Sequence, residues 1–117
     1  MTVFSSEELE IINIHIGLSI RIQRLKKGLS QFDLGDLIRS NNTAIGRIER
    51  AEHYSSWSNI LLICQVLDIK FESIFILRTK VQLYELIDIC YSLDSKLTAE
   101  KEKYYKNLKN KINQYFN

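Results

Sequence analysis

Between Ile12 and Ile22 every second residue is apolar: Ile12, Ile14, Ile16, Leu18, Ile20 and Ile22. Strict alternation is a strand pattern. The same stretch also fits a helix, because Ile11, Ile14, Leu18, Ile22 and Leu25 step by three or four. The ends arbitrate. Ser5 followed by Glu8 is a capping-box signal. Arg24, Lys26 and Lys27 suit a helix C-terminus, and Gly28 suits the stop after it. The chain also has no proline and only four glycines in 117 residues, which favours continuous helices over a turn-rich β fold. A long first helix is predicted. With 45% hydrophobic residues the chain can bury the core of one small all-α fold.

The rest of the chain reads as helices too. Ser30 caps a short second helix with Asp33 in its first turn, and Leu34 and Ile38 share one side. "NNTAIGRIERAE" reads as a third, capped by Asn41. "SSWSNILLICQVLD" reads as a fourth, capped by Ser55 or Ser56. "KFESIFIL" is expected to form a short fifth helix. Thr79 to Leu93 and Thr98 to Phe116 are two more, separated by "DSK". No internal repeat or low-complexity linker interrupts them.

Several function classes lack their signals. Cys64 and Cys90 lie far apart with no histidine at ligand spacing, so no metal site is expected, and Cys64 reads as a small core residue. No stretch of 18 apolar residues exists, and "MTVFSSEELE" is acidic rather than basic, so a cytoplasmic protein is the default. No nucleophile–base pairing, phosphate-cradling glycine loop or working carboxylate pair is evident. Glu7 and Glu8 read as cap charges. An enzyme is not expected, and no cofactor is implied. His15 is expected at the surface or half-buried, and Trp57 in the core.

The third helix carries the most information. At 100° per residue, Ile45 and Ile48 define its buried side, and Thr43, Gly46, Arg47 and Arg50 fall opposite, with Asn42 on a flank. A helix that needed only solubility would carry Glu, Lys and Gln there. Glycine inside a helix costs roughly 0.5–1 kcal/mol relative to alanine. Close approach of another surface, such as the edge of a double-helix major groove, would offset it; the competing reading is a harmless surface glycine. Residues 21–50 hold seven basic and three acidic side chains, whereas residues 1–20 hold three acids and no Lys or Arg. That excess is a weak pointer to a polyanion, and on charge alone a solvated face is the simpler explanation.

From Ile16 to Phe75 the chain resembles the phage-repressor/Cro-like (xenobiotic-response-element) helix-turn-helix family. "IRIQRLKKGLSQFDLGDLI" resembles the family's first two helices, including the Gly-Leu-Ser-Gln junction at residues 28–31. "NNTAIGRIER" resembles its recognition helix, with Ile45, Arg47, Ile48 and Glu49 as the core pattern. "SSWSNILLICQVLDIKFESIF" resembles the two closing helices. The likeness implies a five-helix DNA-binding domain over residues 1–77. It implies base-reading roles for Asn42, Thr43 and Arg47, and phosphate contacts for Gln31, Asn41 and Arg50. Arg24 and Glu49 would bridge the first and third helices. Three departures stand out. Arg39 replaces the usual turn glycine, Gly35 stands where alanine is common, and Ala51 and Ser55 replace the glycine and proline that often follow the third helix.

Residues 78–117 lie outside the resemblance. Val81, Tyr84, Ile87 and Tyr91, with Leu83, Leu86, Ile89 and Cys90, make the next helix apolar nearly all round, so it should be buried. Leu97, Tyr104, Tyr105, Leu108, Ile112, Tyr115 and Phe116 stripe the last one. A helical hairpin is predicted, with surplus apolar surface that suits a homodimer interface. Packing back onto the first domain is the alternative. The expected function is a sequence-specific, DNA-binding transcriptional regulator, acting as a homodimer on double-stranded DNA with two-fold symmetry. An antitoxin or protein-interaction module with a partner protein on the hairpin is the alternative.

Overall fold

The computed structural model describes residues 2–116. Six α-helices follow in order: α1 (Ser6–Lys26), α2 (Gln31–Leu37), α3 (Asn42–Glu49), α4 (Trp57–Leu67), α5 (Lys80–Leu93) and α6 (Ala99–Tyr115). The fold is all-α, with no strand among the described residues.

The alternation in α1 has a physical reading. Residues two apart on a helix sit about 200° apart, on nearly opposite sides. Six alternating apolar residues are therefore two stripes of period four. Ile12, Ile16 and Ile20 face a core with Leu34, Ile45, Ile48, Ile60, Ile63, Leu67 and Ile74. Ile14, Leu18 and Ile22, with Ile11, face a second core with Leu83, Ile87, Cys90, Tyr105, Leu108 and Ile112. Full burial of such a side chain contributes roughly 1.5–3 kcal/mol. So α1 is the layer between α2–α4 on one side and the α5–α6 hairpin on the other.

The apolar surface expected on residues 78–117 is partly covered and partly exposed. Leu83, Ile87, Cys90, Tyr105, Leu108 and Ile112 find their cover on α1 of the same chain. Nor is α5 buried all round: Val81, Ile89 and Tyr91 are exposed.

Each α-helix begins at a side-chain cap that accepts a first-turn N–H: Ser5, Ser30, Asn41 and Ser56, as the local sequence predicts, and Thr79 and Thr98. Between the two resolved choices, α4 uses Ser56. The expected fifth helix shortens to one 3-10 turn, Phe71–Ile74. Without a side-chain cap it tightens rather than propagates.

Two further expectations fail for traceable reasons, and one close contact has no local sign. His15 is buried, its Nδ1 3.0 Å from the Ile74 carbonyl oxygen and its Nε2 3.4 Å from Arg78 Nε. Trp57 is 69% exposed instead of in the core, because it is the first residue of α4 and the buried side of that helix starts at Ile60. Gly17, which nothing in the local pattern singles out, is where α1 meets the end of α3. A Cβ there would lie 2.6 Å from the Glu49 carbonyl oxygen and 2.7 Å from that of Ile48.

Candidate nucleic-acid interface

The approach to α3 is set by backbone chemistry. After α2, Arg39 adopts φ 59° and closes the helix. Its N–H donates to the Asp36 carbonyl, and the Ser40 N–H donates to that of Gly35, a Schellman stop. The departure from glycine thus leaves the turn intact, and an arginine accepts the left-handed conformation at a cost of order 1 kcal/mol. Ala51 does the same after α3, at φ 54°. Gly35 lies against the turn, where a Cβ would come within 2.8 Å of the Asn41 carbonyl carbon. Asn41 then caps α3 by accepting the Ala44 N–H at 2.8 Å. One side-chain oxygen of Asn41 is thereby committed to the fold.

Ile45 and Ile48 anchor α3, and Asn42, Thr43 and Arg47 are exposed. Arg47 takes part in none of the ion pairs of the described residues, and its guanidinium is free to engage a ligand. Gly46 departs from expectation. It is buried, and a Cβ there would meet Arg50 guanidinium nitrogens at 2.9 and 3.4 Å and Gln31 Oε1 at 3.4 Å. The missing side chain makes room for the protein's own Arg50, which also pairs with Glu52. Gly46 is thus covered by side chains of its own protein and is not a free-surface glycine.

Behind this face lies a charged network. Glu49 has a fully buried carboxylate. Arg24 grips it twice, Nε to Oε2 at 2.6 Å and NH2 to Oε1 at 3.0 Å, in the pairing the sequence suggested. Gln31 donates to the same carboxylate at 3.1 Å, so its amide faces inward, toward Glu49. Arg21 joins the two halves of the molecule. Its NH1 reaches Glu49 at 3.3 Å, its NH2 reaches Asp94 at 2.9 Å, and its Nε donates to the Tyr105 hydroxyl at 2.9 Å. Sequence reasoning missed Arg21, although it stands one turn before Arg24 on the same face. Lys101 completes the set at 3.0 Å from Asp94. Burial alone would raise the Asp94 pKa, but hydrogen bonds from Lys101 and Arg21 outweigh it and hold the carboxyl below its ordinary range. A buried network of this kind fixes geometry more than it adds stability, because desolvation offsets most of the attraction.

Gln31, Asn42 and Arg50 line one open cleft of about 690 Å³, together with Arg21, Ser30 and Phe32 and, across from them, Glu100, Lys101 and Tyr104 of α6. The fold therefore brings three of the expected contact residues together beside the hairpin. Arg47 and Thr43 lie outside the cleft. Among the described residues no helix is long and apolar enough to cross a membrane, and no group of His, Cys, Asp and Glu could hold a metal ion. Compared with family models, with curated proteins and with solved structures, the chain matches none.

Proposed function

We propose that this chain is a sequence-specific DNA-binding transcriptional regulator that acts as a homodimer on a two-fold site. The observation that carries the reading is the outer face of α3: Asn42, Thr43 and Arg47 exposed together on a helix pinned by Ile45 and Ile48. An amide, a hydroxyl and a free guanidinium are the groups that read base edges in a major groove, with asparagine suited to adenine and arginine to guanine. In this reading Arg50 and Asn41 contact backbone phosphates and set the register. Gln31 contributes chiefly by holding Glu49, and hence α3, in place. The resemblance to repressor-like proteins points the same way.

Selection from a random DNA pool tests this. The expected result is enrichment of a two-fold sequence with half-sites about one helical turn apart. On that sequence Arg47→Ala should cost roughly 1–3 kcal/mol and relax preference at one base pair per half-site. A pool that yields no enriched sequence would overturn the reading. It would favour the second one, a partner-binding module or antitoxin, for which the exposed apolar side chains around Trp57 are the supporting observation.

A further inference from the structure

On the side of α1 away from α3, the buried His15 holds an arginine in place. Burial, and then the nearby Arg78, lower the His15 pKa, so the ring is neutral near pH 7. Nδ1 lies 3.0 Å from the Ile74 carbonyl oxygen and so carries the proton, which leaves Nε2 to accept from Arg78 Nε at 3.4 Å. Arg78 is half-buried, directly before the Thr79 cap of α5. Held through Nε, it keeps both terminal nitrogens for another partner, and it joins none of the ion pairs among the described residues. His15 and Arg78 line an open cleft of about 430 Å³, where the Phe71–Ile74 turn and α5 both approach α1. Much of its lining is apolar: Ile22 and Ile74 are buried there, with Ile69, Leu86 and Ile89 beside them. Lys26 and Lys70 line it too, exposed and outside every ion pair among the described residues. The acid in the lining, Asp68, is already paired with Lys27 at 2.8 Å.

We infer that this cleft binds a small organic carboxylate with an apolar tail. Three features select that chemistry. First, a guanidinium with both terminal nitrogens uncommitted matches a carboxylate in a two-point contact, and the His15 acceptor fixes its orientation in advance. Second, Lys26 and Lys70 add positive charge that no acid of the lining neutralises, so the cleft favours an anion over a neutral molecule. Third, Ile22, Ile69, Ile74, Leu86 and Ile89 offer burial to a hydrocarbon chain, which a bare inorganic anion could not use. An apolar hollow of this size with a few convergent polar groups has the make-up of a small-molecule site. A solvated face would account for the two lysines, but not for a buried neutral histidine that orients an arginine beside an apolar wall. The site lies apart from the outer face of α3 and stands independently of the DNA reading. Because α1, the Phe71–Ile74 turn and α5 all line it, a bound carboxylate touches segments from both sides of α1 and should stabilise them together.

The test titrates the full chain with hexanoate, followed by backbone amide NMR, with hexanamide and inorganic phosphate as controls. Hexanoate should bind with a Kd on the order of 1 mM and shift first the amides of residues 15–26, 68–78 and 86–89, which surround the cleft. Hexanamide keeps the tail without the charge, and phosphate keeps charge without the tail. Each should bind at least about tenfold more weakly. Arg78→Gln should weaken hexanoate at least about tenfold. The double variant Lys26→Gln with Lys70→Gln removes exposed charges and should weaken it about threefold. Circular dichroism checks that both variants are folded. Equal affinity for hexanamide, or phosphate that binds as tightly as hexanoate, overturns the proposal. So do shifts that gather around Trp57 instead, and so does a folded Arg78→Gln chain that binds hexanoate as the native chain does. Should Arg78→Gln fail to fold, the lysine variant and the shift map of the native chain decide. Weakened binding with shifts confined to the cleft supports the site, and unchanged binding with scattered shifts overturns it.

Discussion

The two sides of α1 both bury apolar side chains, but they are closed in different ways. Toward α3 the contact is backbone on backbone: Gly17 lets the carbonyls of Ile48 and Glu49 approach to where no Cβ could stand. Toward α5 and α6 it is side chain on side chain, with Ile14, Leu18 and Ile22 meeting Leu83, Ile87 and Ile112. A backbone contact has no rotamer to adjust, whereas interdigitated side chains can shift and repack. The backbone contact at Gly17 therefore fixes the angle of α3, while both sides supply apolar area.

The sharpest way to break this contrast is Gly17→Val. Neither backbone carbonyl can retreat without moving α3, so the cost should exceed the usual overpacking range of about 1–3 kcal/mol and remove much of the stability of a small domain. Denaturant titration measures it. Unchanged stability would mean that the two helices separate easily. The next pair compares the sides directly. Leu18→Ala and Ile20→Ala should each cost roughly 2–5 kcal/mol. If α1 unites both cores, both variants unfold in a single transition, at the same midpoint by fluorescence and circular dichroism. Two transitions in Leu18→Ala alone would show that the hairpin melts on its own.

A smaller effect concerns His15. Burial, and then the nearby Arg78, lower its pKa below 6.5 in the folded protein. The unfolded chain therefore takes up a proton first as the pH falls. The resulting stability is present above pH 6.5 and is lost progressively below it. His15→Gln should flatten the dependence of stability on pH between 7 and 5. An unchanged slope would assign it to another group; Asp94 titrates at lower pH, below 3.8. The smallest change expected is a gain. Arg39→Gly relieves the left-handed conformation and should stabilise by no more than about 1 kcal/mol, read as a small rise in melting temperature. A loss would show that the Arg39 side chain contributes more than its backbone costs.

What the sequence made legible was local. Ser5 and Ser30 announce helix starts because a cap and its first-turn partner lie three residues apart, and Asn41 does so by residue type. The Arg24–Glu49 pair followed from resemblance. The remainder depends on distant segments. The alternation in α1 reads as ambiguous until residues 83–112 are seen to return to its second side. His15 gives no hint of burial because Ile74 and Arg78, which enclose it, come some sixty residues later. Gly46 looked like an opening to the outside because nothing in its helix reveals that Arg50 folds back over it. Trp57 carries no local sign that α4 buries itself only from Ile60 onward.

The position of α1 between two cores also imposes an order on synthesis. Leu34, Ile45 and Ile63, which cover one stripe, emerge soon after it. Ile87, Tyr105 and Ile112, which cover the other, emerge last. At 5–20 residues per second, the stretch from Leu77 to Ile112 takes roughly 2–7 s to appear. For that interval a nascent chain with α1–α4 already assembled presents Ile11, Ile14, Leu18 and Ile22 to water, an apolar band along the length of a formed helix. Until α6 arrives, that band has no complete cover from its own chain.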